Sequence, residues 1–517
     1  TEQMLLELCL SLIFLWLLWR LTYARDRGSK PMPHLPEVPF LGHLPFLAVK
    51  HLRDPKRRQY MDMVTMQHHP VFSNIVGLQR FVIISGYEAI KSAFFDYGDA
   101  FSGRPRNPFY LLVSGGKGVI LSEGSTWKEQ RRFALRVLRD LGLGKSRMEE
   151  VISAEAEELV ANFAALNGRP VNTKDLLSKA VANVIGGLVF SERSGYEDPD
   201  FKATIDHVTN VTQVGSPAQF LTIFYPFLCQ PWIVKLLPGL NRSVISRDWL
   251  SEACQARVNR IRQKFNEEFG EDIVDNASAA EPVNFVEAYL REQRRRLAAG
   301  ESTLGSFDDE QLVQTVLDLY IAGSDTTTST LGWLLLYSAL HPDEQRQCQA
   351  ELATELSEAP VRLDDRRRLH RVLAFIDEGM RMSSILVHNV DRRVLRDTEF
   401  LGYLIPASAI VFINLYGHHR DPRYFPNPSE FKPSRFLDSD GRYQASQYLI
   451  PFGLGRRSCL GESLAKAEVF LLFASLLQKF NIELTDECLK LGEDLLVGTD
   501  GIVRAPEPHQ LRLVPRD

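Results

Sequence analysis

Pro451-Phe452-Gly453-Leu454-Gly455-Arg456-Arg457-Ser458-Cys459-Leu460-Gly461 is the stretch on which the reading of this chain turns. Glycines at 455 and 461 let the backbone turn tightly around one sulfur. A helix-period apolar run over 461–479 follows, which aims backbone N–H groups and the positive end of a helix dipole at Cys459. That placement favours a thiolate, which serves either as a nucleophile or as an axial ligand to haem iron. No His or Asp stands nearby in sequence as a catalytic base, which favours the ligand. A lone cysteine is by default a buried structural thiol; here the spacing of Phe452, Gly455, Arg457, Cys459 and Gly461 argues against that default.

Around this stretch lie 517 residues, 44% hydrophobic and 24% charged, the balance of a well-packed globular body. Length alone suggests about three domains, yet from about residue 57 onward there is no linker, repeat or low-complexity run. Lys+Arg 60 against Asp+Glu 65 gives a net charge of -5, so no global basic field points to nucleic acid. Six scattered cysteines without a Cys-x-x-Cys pair exclude a disulfide framework and a zinc site of common spacing. Helical periodicity covers 87–96, 124–140, 148–166, 174–190, 199–214, 248–268, 307–340, 342–357, 372–382 and 461–479, with strand signals near 71–84 and 398–413. The fold class expected is therefore mainly α with a small β portion (α+β).

The N-terminus departs from this average. Leu5 to Trp19 is apolar apart from Glu7 and Ser11, and Trp16, Trp19 and Tyr23 suit an interface. Without a basic leader or a small-residue cleavage site it reads as an uncleaved transmembrane anchor over 1–23 rather than a signal peptide. Arg20, Arg25, Arg27 and Lys30 follow it and no Lys or Arg precedes it, so the body belongs on the cytosolic side and the sequons at Asn210, Asn241 and Asn276 stay unmodified. A basic, proline-rich hinge over 24–45 leads to one unit over 46–517.

Further motifs carry chemistry. Ala322-Gly323-Ser324-Asp325-Thr326-Thr327 places a carboxylate, hydroxyls and a glycine inside the long apolar run, residues able to open a helix by bonding back to carbonyls. Asp318, seven residues before Asp325, reads as structural. Glu-x-x-Arg occurs at Glu129/Arg132, Glu292/Arg295 and Glu378/Arg381; surface pairing is the ordinary explanation for such pairs. Lys128, Arg131, Arg132, Arg136, Arg139, Lys145 and Arg147 form a dense basic stretch, ordinarily a solvated helix face.

The stretch at 452–461 resembles the cytochrome P450 haem-binding signature Phe-x-x-Gly-x-Arg-x-Cys-x-Gly with all five fixed positions filled. A chance match is on the order of one in ten thousand. The resemblance implies the cytochrome P450 fold, a single large haem domain behind an N-terminal transmembrane helix. It implies haem b with Cys459 as axial ligand, Arg457 on a propionate, Phe452 beside the sulfur and Gly461 closing the loop. Trp127 and Arg131 are similar to the family's propionate-binding pair, and Arg392 occupies a position near the other propionate. Glu378 and Arg381 with Arg435 match a buried structural network, although Ser434 departs from the usual Pro-Glu-Arg-Phe. Ala322 and Gly323 would border the distal haem face, Thr326 would serve oxygen activation and Asp325 relay protons. Strings such as Phe101-Ser102-Gly103-Arg104 and Phe400 to Pro406 resemble the animal microsomal family 2 clan.

That resemblance implies a monooxygenase of the endoplasmic reticulum membrane, single-pass with a cytosolic catalytic domain, inserting one atom of O₂ into a lipophilic molecule such as a steroid, fatty acid or xenobiotic. With no dinucleotide or flavin fingerprint in the chain, electrons from NADPH must arrive through a partner. The basic stretch, joined by Arg456, suits NADPH–cytochrome P450 reductase, with cytochrome b5 as a second partner and membrane lipid as the surroundings. Segments 101–121 (Phe109, Leu111, Leu112), 208–222 (Phe220), Ile385 to Val387 and Gly501 to Val503 are expected at the substrate pocket. Two other functions compete: an electron-independent haem-thiolate isomerase or dehydratase of lipid peroxides, and a non-enzymatic haem-binding membrane protein. The Asp325–Thr326 pair speaks against both.

Overall fold

In the computed structural model the run expected over 307–340 is one helix, Asp309–Leu340. Its start is set locally: the Asp308 side chain accepts from Gln311 N at 2.7 Å, and Asp309 and Glu310 sit at the positive end of the dipole. Apolar residues surround nearly its whole circumference, and every residue from Thr327 to Ala339 is buried. Its 32 residues span roughly 48 Å and cross the body. Helices Thr173–Phe190, Pro238–Phe269, His370–Ser383 and Glu462–Lys479 pack around it. Their shared core contains Leu177, Val258, Leu334, Phe375 and Phe473, all fully buried.

The structure describes residues 30–38, 40–46, 66–77, 79–141, 146–212, 217–270, 281–300, 304–499 and 501–516, with isolated positions at 10, 11, 13, 14, 16, 17, 49 and 64. The expected anchor over 1–23 lies mostly outside them, and among the described residues no helix is long and apolar enough to cross a membrane. From Pro33 the proline-rich stretch is laid against the sheet: Ser73 N donates to Pro33 O at 2.8 Å and His43 N to Ile75 O at 2.8 Å.

Three small sheets complete the described fold. Strands β1 (Val71–Val76) and β2 (Gln79–Ile84) form a hairpin in which Val71 pairs with Ile84. β3 (Arg392–Arg393) is the outer strand of the same sheet. β4 (Thr398–Phe400) and β5 (Tyr403–Ile405) turn back on each other through Leu401 and Gly402, both at positive φ. β6 (Ile410–Ile413) lies between β2, to which it runs parallel, and β3, which it opposes with Arg392 beside Val411. β7 (Phe480–Leu484) continues from the helix behind Cys459 and pairs with β8 (Leu511–Pro515).

The mainly helical reading holds, and all ten expected helices are present. The helix expected over 248–268 begins earlier, with Pro238 in its first turn. Short helices Pro108–Ser114, Pro217–Phe224 and Pro231–Leu236 are too brief to show a period. Phe285–Ala298 was absent from the expectation because its buried first half and Arg-rich second half share no single apolar stripe.

Glu378 and Arg381, both wholly buried, form a two-bond fork at 2.7 and 2.9 Å, and Arg435 Nε donates to Glu378 Oε1 at 3.0 Å. Arg381 also donates to the carbonyls of His419 and Pro428. The His419 ring accepts from Ile450 N at 3.2 Å, just before Pro451. Burial holds His419 well below its ordinary pKa and therefore neutral, as an acceptor must be. The carboxylate–arginine group thus clamps the approach to the cysteine loop. The other two Glu-x-x-Arg pairs differ: Glu292 bonds Arg295 at 2.7 Å, but Glu129 turns to Arg296 and Ser306 instead of Arg132. Glu378→Ala leaves two buried guanidiniums without their carboxylate; it should cost about 3–5 kcal/mol, read as a lowered thermal or denaturant midpoint.

Candidate active site

Cys459 N donates to Phe452 O at 2.9 Å and Ser458 N to Gly455 O at 3.0 Å, so the loop closes on itself around the cysteine. Gly455 is obligatory: its φ is +76° and a Cβ would stand 2.1 Å from Phe94 O. Gly461, at φ −94°, is different, since a Cβ there would meet nothing within 4 Å. Neither backbone strain nor crowding requires glycine there, a correction to the turn role expected for it. Phe452 lies half-buried under the Lys466 ammonium.

Cys459 is accessible where Cys229, Cys254, Cys348 and Cys488 are buried. Protein nevertheless surrounds its sulfur closely enough that burial pushes the thiol pKa up, against the Gly461 N–H and Arg131, which favour the thiolate, and with Glu462, which does not. The cysteine is therefore reachable from outside yet closely surrounded by protein. The helix N-terminus does not by itself produce a thiolate, contrary to the expectation from sequence. A nucleophilic cysteine needs a lowered pKa; this one keeps its proton until a cation displaces it, which suits a metal ligand. Among the described residues no cluster of His, Cys, Asp and Glu could hold an ion without further help.

Beside the loop stand Arg104, Arg131, Arg392 and Arg457. Arg457 lies on the Trp127 ring at 3.7 Å and donates to Ser102 O and Ser122 O, while its Nη1 has no partner. Arg392 lies over Phe94 at 3.9 Å and donates to Leu454 O at 3.2 Å, with Nε unpartnered. Arg131 donates to Ser458 O at 2.8 Å. Arg104 donates to the carbonyls of Ile120, Val390 and Asp391, and Asp391 also accepts from the Tyr110 hydroxyl. Burial and then Arg104, Arg392 and Arg131 drive the Arg457 pKa down to about 7, with only Glu123 opposing. Glu123 is already shared with Arg106 and Arg393. Guanidiniums do not give up their protons in practice, so the site is short of negative charge and calls for a polyanionic ligand. Asn389 adds an unpartnered, buried Nδ2 that would lie 2.4 Å from a Cβ on Gly453. Arg104 was passed over in the sequence although Phe101-Ser102-Gly103-Arg104 carried its signal; Asn389 had none.

On the central helix Asp309–Leu340, Ala322 is exposed and Thr326, one turn on, is half-exposed with its Oγ1 donating to Ala322 O at 2.7 Å. This is the open face of a helix otherwise enclosed. Asp325 points elsewhere, into a small cavity bounded by Ser178, Thr209, Tyr320 and Thr328, and burial raises its carboxyl pKa. Gly323 also faces away from the opening, since a Cβ there would meet Ile185 at 3.0 Å; it lets two helices approach, not a ligand. Asp318 accepts from Val119 N and Ile120 N at 2.8 and 2.9 Å and so fixes residues 118–120 to the central helix. Of the segments expected at a pocket, Ile502 N reaches Thr212 O at 3.0 Å and Arg504 N reaches Ile385 O at 2.7 Å, which gathers 208–212, 385 and 502–504.

The family model described as Cytochrome P450 matches residues 32–513. The chain is 34% identical to cytochrome P450 2J2 of Homo sapiens over 504 residues, 96% of this chain and 93% of the relative. It is 33% identical to cytochrome P450 2J5 of Mus musculus over 503 residues, 96% and 94% of the two chains. It is 32% identical to cytochrome P450 2C8 of Homo sapiens over 513 residues, 99% of each.

Gly455→Ala tests the loop geometry. Left-handed backbone and overlap with a carbonyl oxygen act together, so the variant should lose at least about 2 kcal/mol of stability; thermal unfolding beside Gly461→Ala, which should melt near wild type, checks it.

Proposed function

The chain belongs to the cytochrome P450 family and is a haem-thiolate monooxygenase; on that premise we propose that Cys459 is the iron ligand and that Arg104, Arg131, Arg392 and Arg457, with Trp127, receive the two haem propionates. The observation that carries this reading is the shortage of negative charge among those four guanidiniums. Two carboxylates make up that shortage, and unpartnered donors on Arg392 and Arg457 are ready to meet them. Asn389 Nδ2 is a further donor.

When bound, the haem supplies oxygen activation, one atom of O₂ entering the substrate and the other leaving as water. The chain's own groups provide the surroundings. Cys459 would hold the iron through its deprotonated sulfur, which the Gly461 N–H orients. Thr326, tethered to Ala322 O, holds a hydroxyl proton on the open face. Asp325, its carboxyl pKa raised by burial, lies on another side of the same turn as a proton relay. The substrate is a lipophilic small molecule such as a steroid, fatty acid or xenobiotic, admitted between 108–114, 385–387 and 502–504.

Electrons from NADPH come through NADPH–cytochrome P450 reductase, with cytochrome b5 as a second donor. Lys128, Arg132, Arg136 and Arg139 line one exposed helix face with no ion pair among the described residues, a stripe suited to an acidic partner. Arg456 adds less than its position suggests, because Asp99 holds it. The protein works at the endoplasmic reticulum membrane, anchored once through 1–23 with its catalytic body in the cytosol. Exposed Phe227, Trp232 and Leu236 support a membrane-facing side, and Tyr225 donates to the carbonyl of Phe40, itself beside exposed Leu41.

The reduced, carbon-monoxide-bound protein should show the red-shifted Soret band of thiolate ligation, and Cys459→Ser should lose it; an unshifted band in folded protein would remove Cys459 from the iron. Thr326→Ala should retain the band yet divert NADPH electrons to peroxide, lowering product per NADPH by roughly tenfold. Reversing Lys128, Arg132 and Arg136 to Glu should raise the reductase concentration for half-maximal turnover, with the difference shrinking at high salt.

A further inference from the structure

Among the described residues, one side-chain hydrogen bond joins the central helix to the helix Glu462–Lys479: Thr327 Oγ1 donates to Glu468 Oε2 at 3.1 Å. Neighbouring hydroxyls do something else. Ser324, Thr326, Thr328 and Thr330 each donate to the carbonyl four residues back in their own helix. Thr327 alone of these leaves its helix to reach across. Glu468 is 1% exposed, and its second oxygen has no partner.

Among the described residues no cation offsets this carboxyl. Lys466 and Glu462 pair with each other at 2.7 Å, and Arg366 lies over Phe470. From the surrounding helices, Glu149 accepts from Leu363 N, Glu351 from Arg371 N, Asp377 from Tyr443, and Asp325 turns toward Thr212. Only burial and the Thr327 hydroxyl act on Glu468, and burial pushes its pKa up to about 8. The folded protein thus keeps a proton that an unfolded chain loses above about 4.5, so folding is increasingly penalised as pH rises from there toward 8, while the Thr327 hydroxyl favours the ionised carboxyl and opposes burial.

We propose that buried Glu468 is a positioning residue that sets Thr326 relative to Cys459 by gripping the next residue, Thr327. The proposal rests on the roles given above to Thr326 and Cys459. Glu468 lies nine residues beyond Cys459 on the helix that the cysteine loop opens into. Apolar packing sets the spacing of the two helices, and this bond fixes their register at the turn that carries Thr326. Ionising Glu468 would leave a buried charge held by the Thr327 hydroxyl alone, and water drawn to the unpartnered Oε1 would widen the contact.

The test uses the full-length holoprotein with reductase, reading product per NADPH, peroxide, and the ferric spin-state spectrum from pH 6.5 to 9. Wild type should lose coupling and change spectrum with a midpoint of about 8. Glu468→Gln, which keeps the acceptor, should match wild type at pH 7 and show no transition. Glu468→Leu and Thr327→Val should each release roughly fivefold more peroxide at pH 7, the scale of one lost hydrogen bond. The double variant should be no worse than either single one. An unchanged midpoint in Glu468→Gln, or additive peroxide in the double variant, overturns the proposal. A wild type without the thiolate Soret band overturns instead the reading of Cys459 on which it rests.

Discussion

Cations buried together without enough anions are what the rest of this architecture serves. Arg104, Arg131, Arg392 and Arg457 come from four separate parts of the chain, and each is held by backbone carbonyls that cannot neutralise it. Aromatic faces of Trp127 and Phe94 soften the burial but carry no net charge. Such a group is tolerable only as one half of a complex. The protein alone is electrostatically incomplete at its centre, which is the ground for proposing that haem carboxylates meet these arginines.

The cysteine is incomplete in a complementary way. Its sulfur sits in protein that disfavours the thiolate, although one backbone N–H and one guanidinium pull the other way. Cations short of anions and a thiol short of a cation stand at neighbouring points of one cleft. A single ligand carrying both a metal and two carboxylates resolves both. The carboxylate–arginine clamp of Glu378, Arg381 and Arg435, relayed through His419 to Ile450, then reads as support for a loop whose shape must precede its ligand.

How much of this the sequence revealed depended on whether the signal was local. The cysteine loop was legible because Gly455 must be glycine where a carbonyl of Phe94 presses on it. The central helix was legible from its unbroken apolar run. Gly323 and Asp325 were legible as a motif but not in direction: a 100° step per residue separates the open face at Thr326 from the sides that meet Ile185 and Thr212. The helix dipole behind Cys459 could be inferred, whereas the opposing desolvation depends on what surrounds it. Glu468, Asn389 and His419 belong to no local pattern; only packing between distant segments gives them partners or leaves them without.

Strand β8 has a consequence in time. It covers β7 directly behind the cysteine helix, and Leu511 also bonds backbone to backbone with Val171 beside the helix Thr173–Phe190. Residues 511–515 are synthesised after Arg104, Arg131, Arg392 and Arg457, the cysteine and the central helix. During translation the helix behind Cys459 must wait with one end unsupported, so the cleft reaches its final form only after the chain has passed residue 515. A chain cut short of β8 would leave β7 and Val171 without their backbone partners, and with them the support behind the cysteine helix.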